Sequence, residues 1–308
     1  MKNGRILTGI YGLDDLMDGG FRKNTINSIY GGPGVGKTTF ALQYSLFGLD
    51  RGEKVLYVSF EMSEQQIIRD CTDIGWGIIK DYIEEGDLKI LHIFGEDLEF
   101  PSLDITEIIK KSISGHNPRI VIDPFTYPTF YSDKEKRKSI STIFQDLRTF
   151  GTTLVVLEEP ADGVASANFG GSAEIQSNTK ALSMPLYLSD TVLFLQNLGF
   201  GEMYDRTIRI MKHRGSKHGE GIYPYSIETG LGIVLRASKK QIDRVIPKTK
   251  FDDRFVQAVE KSRSMGELGE KLATRIEILR KNWVHDDDPQ QILEMVIKQE
   301  KKNNDNKT

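Results

Sequence analysis

The chain has 308 residues, 38% of them hydrophobic and 28% charged, and its 41 basic against 44 acidic side chains leave a formal charge of −3. That is material for one large core and a smaller appendage, and the balance excludes a generally basic nucleic-acid coat. A single cysteine, Cys71, excludes an internal disulfide and a Cys-based zinc site; it fits a reducing cytoplasm, and no apolar run approaches the roughly 20 residues that cross a bilayer, so a soluble cytoplasmic protein without membrane insertion is expected.

The first strongly apolar β-branched run is Thr25–Tyr30. It leads into a glycine-rich loop and a helix starting near Lys37. Val55–Phe60 is the next strand, and Ser63 with Gln66 three residues on forms a capping box that starts a helix behind it. Arg119–Ile122 and Thr153–Leu157 are further strands. Between them Ile140, Ile143, Phe144, Leu147 and Phe150 share one helical face over Ser139–Phe150, with Gly151 as a stop. This βαβ rhythm predicts an α/β core with a mostly parallel sheet flanked by helices.

From Thr191 onward, TVLFLQ, RTIRIMKH and GIYPYSIETGLGIVL follow without helices between them, which predicts an antiparallel extension with Gly230 in a hairpin turn. Residues 1–238 carry 25 basic and 31 acidic side chains, and 239–308 carry 16 and 13. The change of sign marks a boundary near Ser238 between a core domain (1–238) and a helical C-terminal extension (239–308). Phe251–Arg280 and Pro289–Glu300 show helical spacing there, and the polar end KKNNDNKT is expected to fray into a disordered tail. The extension is either a cap on the core or an arm that binds a protein partner.

The most specific motif is Gly31-Gly32-Pro33-Gly34-Val35-Gly36-Lys37-Thr38, between a strand and a helix and followed by Thr39. Phosphate is held by convergent backbone N–H groups at close range, which glycines permit, and the helix start adds its positive dipole end. Lys37 is placed to reach the β- and γ-phosphates of a nucleoside triphosphate, and the Thr38 hydroxyl to ligate Mg²⁺. Ligands of open parallel sheets sit at the carboxyl ends of the strands, where two acids occur. Asp123 closes Arg119–Ile122 as a Walker B carboxylate would, a second Mg²⁺ ligand. Glu61 closes Val55–Phe60, and from the pattern alone it is equally a water-activating base or a solvated strand-end glutamate.

Together the lead-in TGIYGLDDLMDGGF, the loop GGPGVGKTT, the strand ends YVSFE and IVID, and MKHRGSKHGEGIYPYSI resemble the KaiC-like branch of the RecA superfamily of ATPases over roughly residues 7–236. The resemblance implies that Glu61 is the catalytic base. It also implies a hexameric ring in which Lys212 and Arg214 of the Lys-x-Arg segment reach a neighbour's γ-phosphate. Charge pattern alone reads those two as ordinary solvated cations. Members that run a clock carry two such domains in tandem, whereas one is expected here. Leu186-Tyr187 stands where they carry phosphoacceptors, so autophosphorylation at that position is not expected. Met62 replaces a second glutamate, leaving one base, and Glu158-Glu159 stands where relatives have neutral phosphate sensors; both point to slow turnover. His213 and His218 lack companions at metal spacing and are read as structural or phosphate-adjacent.

Nucleic acid is not the favoured partner. The segment Glu159–Tyr187, taken as a long loop, sets Lys180 against Glu159, Asp162 and Glu174. The segment 124–139 mixes Phe125, Tyr127, Phe130 and Tyr131 with Lys134, Lys136, Arg137 and Lys138. It reads chiefly as a buried aromatic turn followed by a solvated helix start, with base stacking as the lesser alternative. The expected function is therefore Mg²⁺-dependent, slow ATP hydrolysis in a ring-forming switch. The alternatives are a non-hydrolysing nucleotide-binding scaffold of the archaellum type and a DNA-dependent ATPase of the RadA-paralogue type.

Overall fold

The computed structural model describes residues 4–93, 105–113, 115, 117–125, 133–158, 179–199, 205–236, 251–264, 267–281, 283 and 288–305. The strands are β1 (Arg5–Ile6), β2 (Phe21–Arg22), β3 (Ile26–Gly31), β4 (Val55–Ser59), β5 (Leu88–His92), β6 (Arg119–Asp123), β7 (Thr152–Glu158), β8 (Thr191–Asn197), β9 (Arg206–His213), β10 (Ile222–Glu228) and β11 (Gly232–Leu235). β1 and β2 form a short antiparallel ribbon, and the other strands make one nine-stranded sheet in the order β11-β10-β9-β8-β3-β7-β6-β4-β5. From β8 to β5 all neighbours are parallel, while β9, β10 and β11 are antiparallel additions. The expected mostly parallel α/β sheet with an antiparallel extension is the architecture found.

Strands β4, β6 and β7 are near-continuous apolar runs because both faces of the sheet are covered. Val55, Tyr57 and Val121 enter one core with helix α1 (Lys37–Asp50), α2 (Glu64–Ile74) and α3 (Ile79–Glu84). Their neighbours Leu56, Val58, Ile120 and Ile122 enter the other, with α4 (Ile105–Ser112) and α5 (Asp133–Phe150). Helix α1 is buried on almost every side, from Phe40 to Leu49. It lies between the sheet and the C-terminal helices α7 (Asp252–Arg263), α8 (Glu267–Lys281) and α9 (Gln290–Asp305), which follow α6 (Thr179–Leu188). Phe255, Val259, Ile276, Leu279, Trp283 and Val296 share one apolar cluster with Tyr11, Phe47, Leu231 and Val234 of the core. This is the packing of a cap.

Three expectations need correction. The spacing over Phe251–Arg280 belongs to two helices, α7 ending at its C-cap Ser264 and α8 starting at Glu267. Helix α9 does not fray after Glu300 but runs to Asp305; residues 306–308 lie outside the described residues. Helix α5 starts at Asp133, so the helix start read ahead of Ser139 is present. Helix α6 occupies the end of the expected loop Glu159–Tyr187, whose first twenty residues lie outside the described residues. The capping box at Ser63 is present, with Ser63 Oγ accepting from Gln66 N and Gln66 Oε1 accepting from Ser63 N. Gly230, at φ 78°, lies in the β10–β11 turn. Among the described residues no helix is long and apolar enough to cross a membrane.

Candidate active site

Register places the glycine-rich loop at the carboxyl ends of the parallel strands. Gly31 pairs with Glu158 and Tyr30 with Phe194, while Ser59 pairs with Asp123 one strand further out. Glycine is required twice over in this loop. A Cβ on Gly31 would lie 2.1 Å from the Leu195 carbonyl oxygen of β8, and Gly34 and Gly36 take φ of 72° and 93°, the left-handed region. Pro33 and Gly34 are exposed, Gly32 and Gly36 half-buried, and Val35 buried. Nothing lies within 4 Å of the place a Gly34 Cβ would take, so the outer rim of the loop is open. Gly36 is the N-cap of α1, and the helix axis begins at Lys37, Thr38 and Thr39. The Lys37 ammonium donates to the carbonyls of Gly31 and Gly32, both at 2.9 Å, which holds it across the mouth of the loop.

Asp123 ends β6, only 6% exposed, and accepts from the Tyr57 hydroxyl at 2.6 Å and from the Thr38 hydroxyl. Burial pushes its carboxyl above the ordinary range, the two hydroxyls and the Lys37 charge pull it back, and Glu158 adds to the rise. Glu61 stands just past β4. The turn that carries it is pinned by Phe60 N to Asp123 O (3.1 Å) and Met62 N to Ser59 Oγ (2.9 Å). Its carboxyl is exposed yet raised above the usual glutamate range, first by partial desolvation, then by Glu158 and Asp123, with Lys37 opposing. The loop, Lys37, Thr38, Asp123 and Glu61 are thus brought together, with Glu158 among them.

Lys212 and Arg214 are not. Lys212 pairs with Val192 and His213 with Thr191, the first residues of β8, so both cations lie at the amino-terminal end of the parallel strands, opposite the loop of their own chain. There the Lys212 ammonium donates to Tyr187 O at 2.7 Å and Arg214 Nη2 to the same carbonyl at 3.2 Å, at the C-terminal end of α6. Between them His213 is buried, and its ring nitrogens face Thr191 Oγ1 and Arg5 Nη1, each at 2.9 Å. Nε2 also lies 3.1 Å from the Met17 carbonyl oxygen, so the ring is enclosed by Thr191, Arg5 and the Met17 backbone. Burial and the Arg5 charge hold this imidazole neutral, its pKa lowered to about 4. His213 is a structural residue.

Of the aromatic-basic segment, Phe125 is buried against Phe144, ring centroids 5.8 Å apart, and Arg137 and Lys138 are exposed on α5. Tyr127, Phe130 and Tyr131, and the side chains of Lys134 and Lys136, lie outside the described residues. Sequence reasoning missed Tyr57 and also Tyr225 of β10, whose hydroxyl donates to the Val35 carbonyl. A tyrosine inside an apolar strand carries no signal beyond that of a core residue.

Among the described residues, no group of three or more His, Cys, Asp or Glu could hold a metal unaided. Mg²⁺ does not need one, since it binds through one or two protein oxygens plus phosphate and water. The Thr38–Asp123 pair beside an open phosphate loop is a donor set of that kind, and the crowding of Asp123, Glu61 and Glu158 favours a cation there.

Comparison with known proteins agrees with this geometry. The family described as "ATPase: KaiC" matches residues 6–240. The circadian clock protein KaiC2 of Synechocystis is 29% identical over 272 residues, 80% of this chain and 44% of that protein. The circadian clock oscillator proteins KaiC of Thermostichus vulcanus and Acaryochloris marina are 29% and 30% identical, each over 74% of this chain and 44% of their own length. The chain spans under half the length of these curated relatives. With the family match running through the phosphate loop, both strand-end acids and the antiparallel extension, the chain belongs to the KaiC family of RecA-like P-loop ATPases.

Proposed function

We propose that this chain binds Mg²⁺·ATP in the loop Gly31–Thr39 and hydrolyses it slowly, and that its nucleotide state controls assembly of a hexameric ring in the cytoplasm. Gly31, Gly32, Pro33, Gly34, Val35 and Gly36 cradle the phosphates by backbone, and Lys37 swings from the Gly31 and Gly32 carbonyls to the β- and γ-phosphates. Thr38 and Asp123 hold the magnesium ion, which when bound neutralises phosphate charge. Glu61, ionised, accepts a proton from the attacking water. Lys212 and Arg214, too far round the sheet to serve their own loop, are presented to the site of a neighbouring copy. The C-terminal helices α7, α8 and α9 cap the core and offer their outer surface to a protein partner.

The observation that carries this reading is the convergence of Lys37, Asp123 and Glu61 at one end of the sheet, each coupled electrostatically to the others. Glu158 beside Glu61 supports slow turnover, because a second carboxylate repels the γ-phosphate. Hydrolysis and binding assays on three proteins test it. Wild type should turn over ATP with Mg²⁺ and Lys37→Ala should lose both binding and turnover. Glu61→Gln should still bind ATP while turnover falls by about 10²- to 10⁴-fold. A Glu61→Gln protein as active as wild type would remove Glu61 as the base.

A further inference from the structure

The antiparallel strands β9 to β11 have no part in the reading above beyond carrying two cations, yet β10 runs directly beneath the phosphate loop. Pro224 pairs with Thr207 of β9, and Arg206, the next residue of β9, is level with the carboxyl end of β8. Tyr225, 2% exposed, therefore sits at the loop end of the sheet, and its hydroxyl donates to the Val35 carbonyl. Two residues on, the Ile227 Cδ1 atom lies 2.8 Å from where a Gly36 Cβ would stand. Strand β10 thus meets the loop at the Val35 carbonyl and beside Gly36.

The Val35–Gly36 peptide is trans, so its C=O and N–H point in opposite directions. Fixing the Val35 oxygen toward β10 aims the Gly36 N–H away from β10, to the concave side of the loop. We propose that Tyr225 is a positioning residue of the phosphate site: its hydroxyl anchors the Val35 carbonyl and so presents the Gly36 N–H to the terminal phosphates of a magnesium-bound nucleoside triphosphate. Burial holds the phenol well above its ordinary pKa, so it remains a donor across the working pH range. The inference rests on the nucleotide-site reading and extends it to a strand outside the loop motif.

Calorimetric titration of Mg²⁺·ATP and of Mg²⁺·tripolyphosphate into wild type, Tyr225→Phe and Tyr223→Phe tests it. Loss of one buried hydrogen bond's worth of preorganisation predicts affinity about 3- to 10-fold weaker in Tyr225→Phe, by the same factor for both ligands. Tyr223→Phe, which removes a hydroxyl from the same strand facing Gly219 and Gly221, should bind as wild type does. A purely structural hydroxyl would lower the melting temperature of Tyr225→Phe and leave both affinities unchanged, which overturns the proposal. So does a loss confined to ATP, because tripolyphosphate meets only the loop. Wild type that binds neither ligand overturns the nucleotide-site reading itself. Should Tyr225→Phe not fold, NMR of wild type decides: a slowly exchanging Tyr225 hydroxyl proton coupled across the hydrogen bond to the Val35 carbonyl carbon supports the anchor, and its absence refutes it.

Discussion

A carboxylate takes a proton from water only while it is itself ionised, and Glu61 is held above the ordinary glutamate range by desolvation and by Glu158 and Asp123. If Glu61 is the base, as proposed, activity should be present above the raised pKa and be lost as pH falls through it. The acid limb of the turnover profile should lie above pH 4.5, the ordinary glutamate value. Removing one neighbouring charge with Glu158→Gln should move that limb to lower pH; an unmoved limb would mean the two carboxylates do not interact. His213, whose pKa is shifted the opposite way, adds a second loss on acidification, in stability. Its folded pKa is lowered to about 4 from 6.5, so the unfolded chain binds the extra proton between those values. Stability should be full above pH 6.5, fall as pH drops toward 4, and lose that slope in His213→Gln; urea midpoints at pH 7 and pH 5 measure it.

At the scale of single elements, local chemistry and burial separate what matters from what does not. The Ser63 cap is solvent-facing, so Ser63→Ala should cost about 1 kcal/mol of stability. Two ion pairs make a sharper contrast. Arg119 is fully buried; it donates Nε and Nη2 to Glu53 and lies over the Tyr44 ring at 4.4 Å. Glu53→Ala would leave that guanidinium buried without its counter-charge, a loss of roughly 3 kcal/mol. Glu107→Ala, which breaks an exposed pair with Lys111, should leave stability nearly unchanged. Denaturant unfolding of both variants checks the ranking, and equal losses would contradict it.

The elements legible in the sequence were those whose apolar period or cap is local: β3, β4, β6, β7, the Ser63 box, and the phosphate loop, whose glycines, lysine and hydroxyl must come in that order. The last turn of α9 was not legible, because its sequence, Lys301 to Asp305, is wholly polar and carries no apolar period. Nor were contacts that sheet order alone creates. Tyr57 meets Asp123, and Tyr225 meets Val35, across strands far apart in sequence.

For the whole molecule, the decisive feature is separation. The phosphate loop and the Lys212–Arg214 pair occupy opposite ends of one sheet, so a chain that uses both needs a second copy to complete each site. The cap formed by α7, α8 and α9 covers α1 through Phe47, which ties the extension to the helix that starts at the loop. Residues 6–240 match the family, and the helices of the cap lie beyond them.

Complementation between two inactive variants tests the shared site most directly. Lys37→Ala keeps the cations but loses the loop, and Arg214→Ala keeps the loop but is expected to lose turnover on the order of 10³-fold. Mixed in equal amounts and allowed to exchange, they should recover about a quarter of the wild-type ATP turnover, the fraction of random neighbours that pairs an intact loop with an intact arginine. A mixture no more active than its two components, or an Arg214→Ala protein as active as wild type, would contradict the account.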